Sequence, residues 1–252
     1  MSFQICSIIN IEREDDMLLG VNIDHIATLR NARGGFEPDL IECAQICEIV
    51  GVEGITAHLR EDRRHIKDAD VQNLKNVLKT RLNLEMAMTD EMQKIALELK
   101  PAACCIVPEK RQELTTEGGL DVMSQLDRAI KFVKPLVQAG IVVSLFIDPN
   151  EEQVLAAHKT GAQFIELHTG QFSEAFGTEG EEKEVKKLKE ATIYAQSLGL
   201  QVNAGHGLNY KNVHRMREIP NLIELNIGHS IICRAIYVGL EVAVKEMKEL
   251  VG

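Results

Sequence analysis

Eight times along this chain a short β-branched or apolar run is followed by a longer stretch with helical spacing, and that alternation restricts the architecture more than any other property. The runs predict strands at residues 18–24, 54–59, 81–87, 102–108, 142–148, 164–169, 200–204 and 222–227. Helices are expected near 38–50, 68–79, 90–99, 120–139, 151–160, 181–197, 211–217 and 230–250. Gly51, Gly140, Gly161 and Gly199 stand just past expected helices, where a left-handed residue ends a helix most easily. Asp39, Asp90 and Asn150 stand in or beside first turns, where a short polar side chain caps free N–H groups. Strand–helix units repeat as a parallel sheet with right-handed crossovers, either open and doubly wound or closed. Eight units in 252 residues fit the closed form, an α/β fold of the (β/α)8 TIM-barrel type. No Pro/Ser-rich linker divides the chain, so it reads as one barrel domain over residues 1–252. Residues 1–17 form an N-terminal extension outside the repeat, and the loops have room for extra helices.

The formal net charge of −10 argues against nucleic-acid binding, which needs a basic footprint, but a local cluster of Arg and Lys can still attract a small anion. No apolar run is long enough to cross a bilayer. Glu12, Glu14, Asp15 and Asp16 stand where a secretory signal would have its apolar core. Six cysteines suit a reducing compartment. Cys104 and Cys105 lie in an apolar run, and Cys43 and Cys47 lie on an expected helix without a second ligand pair, so burial explains them better than metal. The cytoplasm is the expected location.

In this fold the chemistry belongs at the C-terminal ends of the strands. Those ends are rich here in groups that move protons or hold anions: Asn22, Asp24 and His25 after the first strand, His58 and Arg60 after the second, and Asn83 and Glu85 on the third. Glu109, Lys110 and Arg111 follow the fourth, Asp148 ends the fifth, and Glu166 and His168 lie on the sixth. Asn203 and His206 belong to the seventh, Asn226 and His229 to the eighth. Only His158 and His214, of eight histidines, fall on expected helices. Gly205-His206-Gly207 and Gly228-His229-Ser230 occupy the loops after strands seven and eight, where this fold builds a phosphate site from close backbone and a helix N-terminus. Arg33 and Arg60, nearest the strand ends among the basic residues, offer forks for a second anion. Glu85 and Glu166 sit between apolar neighbours, and strand alternation turns their carboxyls to the opposite face. A carboxyl so placed is a candidate base or charge stabiliser. There is no Walker loop, no Gly-x-Gly-x-x-Gly unit and no His-x-His on the first strand. The residues therefore read as metal-free acid–base chemistry on phosphorylated small molecules. A sugar-phosphate isomerase or epimerase, or an inactive barrel scaffold, stays open on this reading.

Eight segments in unbroken order resemble the pyridoxine 5′-phosphate synthase family: residues 20–33, 56–65, 83–87, 107–112, 115–119, 166–170, 202–207 and 225–229. The resemblance runs from about Leu18 to the C-terminus. It implies a transferase-class, ring-forming enzyme of vitamin B6 synthesis. Such an enzyme condenses 1-deoxy-D-xylulose 5-phosphate with 3-amino-2-oxopropyl phosphate, releasing phosphate and water, with no metal and no cofactor. By the same resemblance His58 and Glu85 are proton acceptors, His206 is a proton donor and Glu166 stabilises charged intermediates. Asn22, Arg33, Gly207, Gly228 and His229 match positions for the aminoketone phosphate, and Asp24, His25, Arg60, His65 and Thr115 match positions for the sugar phosphate. A homo-octamer, a tetramer of dimers, is implied as well. A lid is expected over residues 108–119, because imine and enol intermediates need shelter from water.

Overall fold

A computed structural model describes residues 17–109 and 118–252. Thr115, most of the expected lid and all of the N-terminal extension but Met17 lie outside the described residues. Eight parallel strands close on themselves: β1 (Leu18–Asn22), β2 (Gly54–His58), β3 (Arg81–Met86), β4 (Ala103–Ile106), β5 (Val142–Ile147), β6 (Phe164–His168), β7 (Gln201–Gly205) and β8 (Glu224–Ile227). β1 pairs with both β2 and β8, which shuts the barrel. The expected (β/α)8 fold is present, with strand ends within two residues of the expected ones. Among the described residues no helix is long and apolar enough to cross a membrane.

Alternation along the strands sorts two chemically different faces. Leu19, Val21, Ile55, Ala57, Leu82, Leu84, Cys104, Ile106, Val143, Leu145, Ile165, Leu167, Val202, Leu225 and Ile227 are buried in one continuous apolar core against the helices. The alternate residues line the inside of the barrel, and there polar groups dominate. Thr56 is in register with Asn22 on one side and Asn83 on the other. Asn226 accepts from the Thr56 hydroxyl at 2.9 Å, and Asn83 Nδ2 donates to the same hydroxyl at 3.3 Å. Barrels of this type usually fill that space with branched apolar side chains. Here a small apolar patch of Cys105, Val107 and Phe146 is packed separately from the main core.

The helices follow their sequence signals where those signals are local. Asp39 caps α2 (Leu40–Val50) by accepting from the N–H groups of Ile41 and Glu42, and Asn150 caps α6 (Glu151–Thr160) by accepting from Gln153. In α4 (Asp90–Leu99) the cap is Thr89, and Asp90 lies in the first turn. Elsewhere the structure departs from expectation. The first strand ends at Asn22, and the chain turns at once into α1 (Asp24–Arg33). A further short helix, α7 (Gly170–Ala175), follows β6. The helix expected from 120 becomes a 3-10 turn and then α5 (Leu126–Gln138), and the one expected at 211–217 is a 3-10 segment, Val213–Glu218. The expected final helix is broken by Gly239, at φ 85°, into α9 (His229–Val238) and α10 (Leu240–Val251).

Candidate active site

Asn22, at the end of β1, ties two acids together. Its Nδ2 donates to Asp24 Oδ2 at 2.9 Å and to Glu85 Oε2 at 3.4 Å, while its Oδ1 accepts the Asp24 N–H at 2.9 Å. Buried Asp24 uses Oδ1 to accept the backbone N–H of His58 at 2.8 Å. His58 closes β2 directly opposite Glu85 in register, which brings His58 Nδ1 to 3.8 Å from Glu85 Oε2. The other ring nitrogen, Nε2, lies 2.8 Å from Oε1 of Glu109, just past β4. His65 leans in from the following loop, its Nδ1 accepting the Ile66 N–H at 2.9 Å and lying 4.0 Å from Asp24 Oδ1. Burial lowers the His65 imidazole below its ordinary range against the opposing charge of Asp24. Burial, then the charges of Asp24 and Glu166, push the Glu85 carboxyl well above the usual range.

Glu166 stands across the barrel on β6 at 3 % exposure. It accepts from Asn226 Nδ2 at 2.7 Å, with Cys105 Sγ 3.8 Å away. Burial lifts its carboxyl to about 7, and the Asn226 hydrogen bond pulls the other way. Two residues on, buried His168 places Nδ1 3.0 Å from Asp148 Oδ1, which also accepts the Gly119 N–H at 2.9 Å. The His168 ring lies 5.1 Å from that of His206 and 5.2 Å from Phe146. His206 takes a left-handed backbone, φ 78°, a costly conformation for a residue with a Cβ and one that tends to occur at functional sites. The residue is open to solvent as a whole. Desolvation of its imidazole, with His168 beside it, nevertheless pushes the ring down to about 4.

The Gly-His loops complete the mouth. His229 is the first residue of α9 and meets the His25 ring edge-to-face at 4.9 Å. Desolvation first and His229 second lower the His25 imidazole. Gly228 must be glycine for space: a Cβ there would lie 2.8 Å from both Cβ and O of Asn22. Gly207 is left-handed, φ 78°, with its carbonyl held by the Ser173 hydroxyl at 2.6 Å. Arg60 lines a cavity of about 140 Å³ with Glu61, Asp62 and Glu109. Arg33 stands on the exposed last turn of α1, about 14 Å along the helix axis from Asp24 at 1.5 Å per residue. Arg30 spends its fork on Asp70, at 2.7 and 2.8 Å. Thr115 lies outside the described residues.

Among the described residues one trio, Asp24, His58 and His65, places potential metal-ligand atoms within 4.8 Å of one another. Asp24 Oδ1 and His65 Nδ1 already accept backbone N–H groups, so the trio's hydrogen bonds account for its arrangement without an ion.

The profile of the family described as "Pyridoxal phosphate biosynthesis protein PdxJ" matches residues 19–252. The chain belongs to the PdxJ family. A relative named pyridoxine 5′-phosphate synthase from Geotalea daltonii is 57 % identical over 233 residues, 92 % of this chain and 98 % of that protein. Another of that name, from Aliivibrio fischeri, is 57 % identical over 234 residues, covering 93 % and 96 %. Among solved structures, the 3-keto-L-gulonate-6-phosphate decarboxylase of Vibrio cholerae superposes with a TM-score of 0.62 at 13 % identity, over 94 % of this chain and 99 % of that one. A 4-hydroxy-2-oxoglutarate aldolase/2-deydro-3-deoxyphosphogluconate aldolase gives 0.58 at 18 % identity, over 94 % of each chain. At such identities these two speak for the barrel alone. Within the PdxJ site, the contacts of Glu109 with His58, and of Asn226 as the bridge between Thr56 and Glu166, are visible only in the fold. Both stand at or just past strand ends, but their partners are far away in sequence, and no local pattern marks them.

Proposed function

We propose that this chain catalyses the pyridoxine 5′-phosphate synthase reaction, joining 1-deoxy-D-xylulose 5-phosphate to 3-amino-2-oxopropyl phosphate with loss of phosphate and water. The observation that carries this reading is 57 % identity, over nearly the whole barrel, to relatives bearing that name. An amine attacks a ketone only when neutral, so a base must hold its proton and an acid must help water leave. His58 and Glu85 are the proton acceptors in this reading, and the raised carboxyl of Glu85 is a stronger base once ionised. Glu166 steadies charged intermediates. His206 donates a proton, which it must first acquire; two bound phosphates supply negative charge that favours its protonated form.

Asn22, Arg33, Gly207, Gly228 and His229 take the aminoketone phosphate, and the start of α9 at His229 offers free N–H groups for an anion. Asp24, His25, Arg60, His65 and Thr115 take the sugar phosphate; Arg60 Nε makes no hydrogen bond and lies 3.4 Å from Asp62 Oδ1, a partner that a bound phosphate would have to replace. The enzyme works as a transferase-class synthase without metal or cofactor, in the cytoplasm, as an octamer. Exposed Phe36, Ile236 and Tyr237 supply apolar surface for subunit contacts. Purified protein given both phosphates in the presence of EDTA should form pyridoxine 5′-phosphate, and either phosphate alone should give none. Absence of product with both substrates, or product that vanishes with EDTA and returns with a divalent ion, overturns the reading.

A further inference from the structure

We propose that Glu109 is a positioning residue that fixes the tautomer of His58 and so makes Nδ1 its working nitrogen. This rests on the reading above, in which His58 accepts a proton. The Glu109 side chain is only 4 % exposed, and both of its oxygens are engaged: Oε1 lies 2.8 Å from His58 Nε2, and Oε2 accepts the backbone N–H of Glu61 at 3.0 Å. Burial works against its charge, but His58, the Glu61 N–H and Arg60 together hold it below the usual carboxylate range. An ionised carboxylate can only accept, so Nε2 must donate. In a neutral imidazole that leaves the lone pair on Nδ1.

Nδ1 is the nitrogen that faces the site. It lies 3.8 Å from Glu85 Oε2, beyond a hydrogen bond, and one ring nitrogen of His58 is within 4.8 Å of ligand atoms of both Asp24 and His65. The backbone of His58 cannot slide, because Asp24 holds its N–H. A substrate proton taken onto the Nδ1 lone pair creates an imidazolium whose Nε2–H still points at the Glu109 anion, and that contact favours the charged form. The proton later leaves from the same nitrogen, so the pair returns to its starting state. Carboxylate–imidazole pairs fix tautomers in this way wherever one ring nitrogen must be free to act.

The test uses the full-length protein. With nitrogen-15-labelled histidine, the His58 resonances, assigned by their loss in His58→Asn, should show a proton on Nε2 and none on Nδ1 at neutral pH. Glu109→Gln keeps the shape and an accepting oxygen but loses the charge. It should lower kcat about 10–10²-fold, leave KM for both phosphates within about threefold, and move the acid limb of the kcat profile to lower pH. Glu109→Asp should restore the limb in part. A proton on Nδ1 in the wild type overturns the proposal, as does a Glu109→Gln enzyme that melts lower but keeps its kcat and its acid limb. If the wild type makes no pyridoxine 5′-phosphate, the synthase reading fails, and nitrogen-15 spectra still decide the tautomer: a folded Glu109→Leu, which has no acceptor, should lose the preference for a proton on Nε2 that the wild type shows, and an unchanged preference overturns the proposal.

Discussion

Glu166 carries a carboxyl that burial raises from 4.5 to about 7, which leaves it near half protonation at neutral pH. Below pH 4.5 the folded and unfolded chains both hold that proton. As pH rises through the window up to about 7 the unfolded chain releases it first, so stability is lost across the window. His206 has the opposite sign: its imidazole falls from 6.5 to about 4, so the unfolded chain binds the proton first and stability is lost as pH falls through that range. Glu166→Gln cannot titrate and can still accept from Asn226. Its melting temperature, relative to wild type, should therefore climb steadily between pH 4.5 and 7 and then level off, while the acid-side loss attributed to His206 remains. A difference that stays flat with pH means that burial does not raise the Glu166 carboxyl. Glu85, Glu166, His58 and His206 were legible as candidates because strand alternation and strand ends are local signals. The placement of Arg33 at the end of a helix was not legible, because it depends on the chain leaving β1 as α1.

α1 buries Asp24, Ile26 and Ala27 and little beyond its first turn, too brief a stripe for periodicity to reveal. The strands were easier, since an apolar run bounded by turn residues has few alternatives in so regular a repeat. The single helix expected at 230–250 failed at Gly239, whose φ of 85° ends α9 where spacing alone suggested continuity. The junction of β1, β8 and α9 is tight, because a Cβ on Gly228 would meet backbone as well as side chain of Asn22. Gly228→Ala should lower stability by about 1–3 kcal/mol and weaken binding of a phosphate-bearing amine, since Asn22 is the link between Asp24 and Glu85. Gly35→Ala, with nothing within 4 Å of the added methyl, should change neither. Paired melting curves and titration calorimetry on the two variants check this. Equal behaviour of the two removes the steric argument.

At the scale of the whole molecule, the barrel has an apolar shell against its helices and a hydrogen-bonded interior of Asn, Thr, Glu and His. Its polar lining continues toward the strand starts, where Arg81 pairs with Glu224 at 2.5 Å. This arrangement has a calorimetric consequence. Apolar surface raises the heat capacity of the unfolded chain and polar surface lowers it, so exchanging ten or so interior apolar side chains for polar ones should reduce the heat-capacity change of unfolding by roughly 0.5 kcal/mol/K. The slope of unfolding enthalpy against melting temperature, collected across pH, should accordingly fall below that of a barrel of equal length filled with Val, Ile and Leu. An equal or steeper slope would contradict the account. A smaller heat-capacity change also flattens the stability curve, so this barrel should lose less of its stability on either side of its temperature of maximum stability.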